Sequence, residues 1–304
     1  MHDCFSDEKT KISLIEKFIE EIISGKKERM ERFYEIFSAR GFSLELEDTT
    51  GNVRLSDESH GEDGEFLEIL QNIGYKKIYN TAHQDAINNN DSEDASQKRH
   101  AYFDYINTQL FDINNMQYVI ELFSNKIPVD MYRLNWERDR YGRFEQFKAC
   151  EQLPKIRVSD LEPFIARLTK AVSSIGISTW SSCEGHWGDP AYIKCNGKYH
   201  RLWFQALFNT FIKKRLDLVC NWEWLGWDDR CFIRHPEGNL LELYLEIQKV
   251  ACLVHNNRTL LRNTKKQTCQ LLTHKHKSMN QKKWLNIFQK CFEESFTHNA
   301  LLFY

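Results

Sequence analysis

The chain has 304 residues, is 41% hydrophobic and 13% aromatic, and carries a formal net charge of −2. That much apolar and aromatic content excludes a chain disordered throughout, and the length accommodates one large α/β unit or two to three smaller domains. No apolar run approaches bilayer length, and the opening Met-His-Asp-Cys-Phe-Ser-Asp-Glu lacks the basic-then-apolar order of a signal peptide, so a cytoplasmic protein with no membrane partner is expected.

Charge is unevenly spread. Residues 1–100 hold 22 acidic and 13 basic side chains, a balance of −9, whereas residues 253–290 hold nine Lys or Arg and no Asp or Glu. The basic end can meet the acidic front or attract phosphate.

In chain order, residues 8–40 predict one helix or two, with Ile12, Ile15, Phe18, Ile19, Ile22 and Ile23 on one face. Gly25 interrupts the pattern, Met30, Phe33, Tyr34 and Phe37 resume it, and Gly41 is placed to cap the end. Residues 42–64 read as a loop or a short strand pair. A helical segment is expected around 66–70, a linker at 88–97, and apolar residues return from Tyr102 to Phe111. Residues 116–123 predict a helix. The arginines of the following segment, Arg133, Arg138, Arg140 and Arg143, read as a solvated face.

Ser159-Asp-Leu-Glu162 has the form of a capping box opening a helix with Leu161, Phe164, Ile165, Leu168, Ala171 and Val172 as its apolar face. That helix leads into Gly176-Ile-Ser-Thr-Trp-Ser-Ser-Cys-Glu-Gly-His186, read as a loop. Ala191–Cys195 predicts a strand, Asn196-Gly197 a turn, and 202–212 a helix. Leu216, Leu218, Cys220, Trp222 and Trp224 alternate with polar residues as on a strand, and 231–234 predicts another after Gly226. From Pro236-Glu-Gly238 the pattern is helical to about Leu261, and Trp284, Leu285, Ile287 and Phe288 predict an amphipathic C-terminal helix. The expected fold class is an α/β or α+β centre of short strands and packed helices, flanked by mainly helical regions. The expected regions are 1–88 mainly helical, 98–153 helical and connecting, 155–262 the α/β centre, and 263–304 basic and helical.

The chemistry-bearing stretch is Cys183-Glu-Gly-His186, which crowds a thiol, a carboxylate and an imidazole around a glycine able to turn the chain tightly. Cys183 is the candidate nucleophile, His186 the proton shuttle, and Glu184 its orienter. Ser181, Ser182, Gly185 and Trp187 are candidate substrate contacts in the same loop. Lys194 and Arg201 are candidates for phosphate, and Trp222 and Trp224 for base stacking, with core packing the plainer role for each tryptophan. Nine scattered cysteines without a Cys-x-x-Cys pair read as reduced residues, mostly structural. A transition metal would need Cys183 and His186 to recruit donors from Cys195, His200, Cys220, Cys231 or His235, and no spacing fixes such a set.

Ser181-Ser-Cys-Glu-Gly-His186 resembles the wybutosine-synthesis methyltransferase family of tRNA modification, whose loop reads approximately Ser-Ser-Cys-Ser-Gly-Arg. Ser181, Ser182, Cys183 and Gly185 match, Glu184 and His186 depart, and the likeness covers residues 157–196. It implies an α/β centre using this loop in a tRNA-base or methyl-donor site, with S-adenosylmethionine as cofactor. No Gly-x-Gly-x-x-Gly fingerprint accompanies it. The sequence therefore leads to an enzyme acting on RNA, DNA or a nucleotide-like substrate, with RNA modification as the candidate chemistry. The alternative is a non-catalytic nucleic-acid-binding or protein-interaction module.

Overall fold

A computed structural model describes residues 8–46, 53–55, 116–124, 143–149, 156–185, 189–226 and 228–300. The expectations for 66–70, 88–97, 102–111 and Arg133, Arg138 and Arg140 lie outside these residues. The chain divides into two compact units.

The described part of the first unit holds helices α1 (Glu8–Ile22) and α2 (Arg29–Arg40), the antiparallel pair β1 (Leu44–Leu46) and β2 (Val53–Leu55), and helix α3 (Met116–Ser124). Helical periodicity buries Ile15, Phe18 and Ile19 of α1, Phe33, Ile36 and Phe37 of α2, and Val119, Leu122 and Phe123 of α3. Phe18 meets Phe123 edge-on at 5.6 Å. Gly41 takes φ 114° and ends α2, its N–H bonded to Ser38 O at 3.0 Å, as a left-handed cap requires. The fully buried Arg40 is held by backbone carbonyls: Nε donates to Leu122 O at 3.0 Å and Nη1 to Val158 O at 3.2 Å.

The second unit is built on a four-stranded antiparallel sheet. Its described elements are α4 (Phe144–Ala149), α5 (Pro163–Ser174), β3 (Thr179–Cys183), β4 (Ala191–Cys195), α6 (Lys198–Leu207, continued as a π-helical turn Phe208–Ile212), β5 (Asn221–Leu225), β6 (Arg230–Arg234), α7 (Leu240–Asn256), α8 (Arg258–Leu271) and α9 (Gln281–Ala300). Strand order is β3-β4-β6-β5. This is the expected mixed centre of short strands and packed helices.

Alternation along the strands divides the sheet into two faces. Ala191, Ile193, Cys195, Cys231 and Ile233 are buried on one. Trp222 and Trp224 share that side and meet Phe208 and Phe204 of α6, each pair at 5.0 Å. Behind α6, Trp203 packs on Phe288 at 5.0 Å and Phe292 at 4.3 Å of α9, where Trp284, Phe288 and Phe292 are fully buried. Helices α5 and α7 join through Phe164 stacked on Tyr244, with centroids 4.1 Å apart and rings nearly parallel at 4°.

Four sequence expectations are corrected. Residues 179–183 form strand β3, not loop, with an irregularity between Thr179 and Ser181 that interrupts simple alternation. The capping box does not form: Val158–Asp160 is a 3₁₀ turn, and α5 starts at Pro163 with Glu162 as its cap residue. Proline favours that first position because its fixed φ suits a helix and no N–H is wasted there. The strand expected from Leu216 starts only at Asn221. The helix beyond Gly238 breaks at Asn257, and Asn239 opens it by accepting from Leu241 N at 3.1 Å and Glu242 N at 3.3 Å.

Candidate functional site

The register brings together residues that are scattered in sequence. Ser181 pairs with Lys194, Cys183 with Tyr192, Tyr192 with Phe232, and Lys194 with Arg230. Directly opposed residues of antiparallel strands share a face, so these six side chains lie together on the side of the sheet turned away from α6. All are half-buried, in contrast to the sealed helix-packed side. Lys194 and Arg230 keep 31% and 33% side-chain exposure, enough to meet a ligand.

Electrostatic pairing organises this face. The Arg230 guanidinium stands 4.8 Å from the Tyr192 ring centroid and 5.7 Å from that of Phe232. Asp228 bridges two cations, with Oδ1 3.2 Å from Lys194 Nζ and Oδ2 2.9 Å from Arg230 Nε. The Tyr192 hydroxyl stands near the Ser181 side chain. Burial pushes the Tyr192 phenol above its ordinary range, with Ser181 opposing and the neighbouring Cys183 adding to the rise. Tyr192 is therefore a neutral hydroxyl at physiological pH.

Cys183 ends β3, an edge strand. The Gly185 N–H donates to its Sγ at 3.5 Å. Gly185 holds φ 94°, and a Cβ there would lie 2.9 Å from Asp189 O and 3.0 Å from Ala191 N, so both the backbone angle and the close approach require glycine. Glu184, only 4% exposed, points away from solvent: its Oε2 accepts the Phe164 N–H at 3.1 Å in the first turn of α5. In return the Glu184 N–H donates to Glu162 Oε2 at 2.6 Å. The expected link between Glu162 and a helix start is thus replaced by two bonds that span 22 and 20 residues.

His186 and Trp187 lie outside the described residues. Of the remaining residues singled out from sequence, Ser181, Cys183 and Lys194 share one face, with Glu184 and Gly185 directly following. Ser182 pairs with Ile193 on the opposite face, the side that also carries Trp222 and Trp224. Arg201 is 2% exposed, and its guanidinium donates to Asp229 Oδ1 at 3.2 Å, Gln205 Oε1 at 3.2 Å and Gln281 Oε1 at 2.7 Å. Tyr192, Arg230 and Phe232 were missed. Tyr192 was legible as an outward position of a predicted strand, but its placement beside Cys183 depends on register.

The other metal-donor candidates sit apart in role. Cys195 and Cys231 are fully enclosed and burial pushes both thiols well up. Cys220 is pushed up to about 12, first by burial and then by Glu246. His200 Nδ1 accepts the Ser178 N–H at 3.1 Å, and His235 Nδ1 accepts the N–H groups of Glu237 and Asn239, each at 3.2 Å. Among the described residues no three His, Cys, Asp or Glu side chains gather as a metal site.

Part of the basic tail is structural. Arg262 Nε and Nη2 donate to Ser174 O at 3.0 and 2.9 Å, and the buried Lys265 donates to Gly176 O. These cations meet carbonyls at the negative end of α5. Lys266, Lys277, Lys282 and Lys283 are exposed. No described helix is long and apolar enough to cross a membrane. No family model matches the chain, and no curated protein or solved structure matches it at a significant level.

Proposed function

We propose that the chain is an enzyme acting on a nucleic acid or nucleotide-like substrate seated on the outward face of the four-stranded sheet, with Cys183 as the reacting group at its edge. The observation that carries this reading is the cross-strand gathering of Cys183, Ser181, Tyr192, Phe232, Lys194 and Arg230. Each type supplies a distinct part of such recognition. Aromatic rings stack on bases whatever their sequence. Lys194 and Arg230 draw phosphate, and their shared Asp228 keeps them pre-placed. The Ser181 and Tyr192 hydroxyls offer hydrogen bonds to base edges or a ribose hydroxyl. A thiol at the rim can attack an electrophilic ring carbon once deprotonated. In the methyl-transfer variant implied by the Ser-Ser-Cys resemblance, S-adenosylmethionine supplies the methyl group and the same face orients the base, with no covalent bond to Cys183.

The test begins with fluorescence anisotropy on a labelled single-stranded 12-nucleotide RNA across a salt series. Tyr192→Ala and Phe232→Ala are expected to weaken binding about tenfold each, in line with roughly 1–3 kcal/mol per stacked base, while Cys183→Ser still binds. Incubation of transfer RNA with protein and S-adenosylmethionine, followed by nucleoside mass analysis, then reads for product that Cys183→Ser fails to form. RNA binding indifferent to Tyr192 and Phe232 would refute the assigned face. Binding that depends on them without any product would make the chain a recognition module.

A further inference from the structure

Cys183 is followed by three constraints. Glu184 N–H is tied to Glu162 Oε2, the Glu184 carboxylate is tied to Phe164 N–H, and Gly185 N–H rests on Cys183 Sγ. Both carboxylates are buried, Glu162 at 9% and Glu184 at 4% exposure. An ordinary helix cap needs one acceptor from its own neighbourhood. Here the acceptor comes from the residue after the candidate nucleophile, so the start of α5 and the end of β3 form one rigid corner.

We infer that Glu162 and Glu184 are positioning residues that hold the Gly185 N–H against Cys183 Sγ and so favour the thiolate at the edge of the sheet face. The inference rests on the reading of Cys183 as the reacting group. A backbone N–H aimed at sulfur stabilises its anion, as hydrogen bonding to any charged form does. Two further details serve the same end. Gly185 holds a positive φ with backbone atoms about 3 Å from where a Cβ would stand, so only glycine can present its N–H in this place. Phe164, whose N–H Glu184 takes, is itself clamped by Tyr244. Glu184 thereby acts through the backbone.

The sign of the effect separates this role from a plain charge effect. A carboxylate beside a thiol raises the thiol's pKa, so removing charge alone would make Cys183 ionise more easily. Loss of the held N–H does the opposite. The experiment follows iodoacetamide alkylation of the full-length protein across pH, with Cys183 scored on its own peptide by mass spectrometry and near-ultraviolet circular dichroism as a check of folding. Glu184→Gln keeps an acceptor oxygen for Phe164 and is expected to leave the Cys183 midpoint unchanged or lower. Glu184→Ala loses it and is expected to raise the midpoint by about one unit, roughly a tenfold drop in thiolate below the midpoint. Glu162→Ala, which frees the Glu184 N–H, is expected to move the midpoint the same way and decides the matter if Glu184→Ala does not fold. The inference is overturned if the folded alanine variant has a midpoint equal to or below that of the parent, the mark of a cap that serves stability alone or of bare charge. Turnover retained by Cys183→Ser would instead overturn the assignment of Cys183 as reacting group, a failure that the alkylation profile does not share.

Discussion

Glu246 offers a sharp quantitative test of how the second unit is held together. It is 5% exposed, and its carboxylate accepts three hydrogen bonds: Val219 N at 2.5 Å and Cys220 N at 3.0 Å on Oε2, and Trp222 Nε1 at 2.8 Å on Oε1. The carboxylate of α7 thus anchors the turn entering β5. Replacing it with glutamine preserves volume but offers one acceptor where two are used. With its carbonyl toward Val219 and Cys220, the amide NH₂ faces the indole N–H, and the reverse orientation opposes two backbone donors. The better orientation leaves one buried donor unsatisfied, about 1–3 kcal/mol, and reduces two charge-assisted bonds to neutral strength, about 0.5 kcal/mol each. Glu246→Gln is therefore expected to cost about 3 kcal/mol. In urea, followed by tryptophan fluorescence, the midpoint should fall by about 1–3 M, since slopes run at roughly 1–3 kcal/mol per molar. Glu246→Leu strands all three donors and should fall further. A glutamine variant within about 0.5 kcal/mol of the parent would refute the claim that this carboxylate is a three-bond anchor.

Two further outcomes follow from particular environments. Gly185→Ala meets backbone atoms at 2.9 and 3.0 Å as well as a positive φ, whereas Gly25→Ala, at φ 75°, meets nothing within 4 Å. Calorimetry should find Gly185→Ala costing about 2–3 kcal/mol and Gly25→Ala about 1 kcal/mol, and equal costs would contradict the geometry. Burial pulls Lys170 down from 10.5 to about 8, although its Nζ donates to Ile156 O at 2.8 Å. Because its folded pKa lies below its unfolded one, the unfolded chain binds more protons between pH 8 and 10.5, and this group makes stability rise with pH across that window. Lys170→Met should remove that rise and gain on the order of 1 kcal/mol at pH 7, where the buried charge is penalised in full. A variant whose profile runs parallel to the parent's from pH 8 to 10.5 would count against this account.

Periodicity revealed the elements that pack on one side and little of what joins them. Trp222 and Trp224 announced β5 because their two-residue spacing is uninterrupted, and Gly41 announced the end of α2 because a positive φ there needs glycine. Strand β3 was hidden by the irregularity at Trp180 and by the serines that follow it, which look like turn residues. The start of α5 was misplaced because Ser159 and Glu162 have cap spacing, while Pro163 was the truer signal. The break at Asn257 was invisible because Val254 and Leu261 continue one apolar face across it. At the site, residue type pointed to Cys183 and Glu184, but which side chains stand beside them is fixed by pairing between β3, β4 and β6. Tyr192 and Arg230 became neighbours of Cys183 only through that register.

Helix α5 takes its partners at both ends from chain made later. The Phe164 N–H of its first turn waits for Glu184; at the other end Ile177 and Gly176 close the Val172 and Ser173 carbonyls locally, while Ser174 O waits for Arg262, 88 residues on, and Gly176 O for Lys265, 89 residues on. At roughly 5–20 residues per second, a ribosome needs about 4–18 seconds to cover that interval. A nascent chain stalled before α8 therefore lacks the Arg262 and Lys265 bonds that brace the far end of α5.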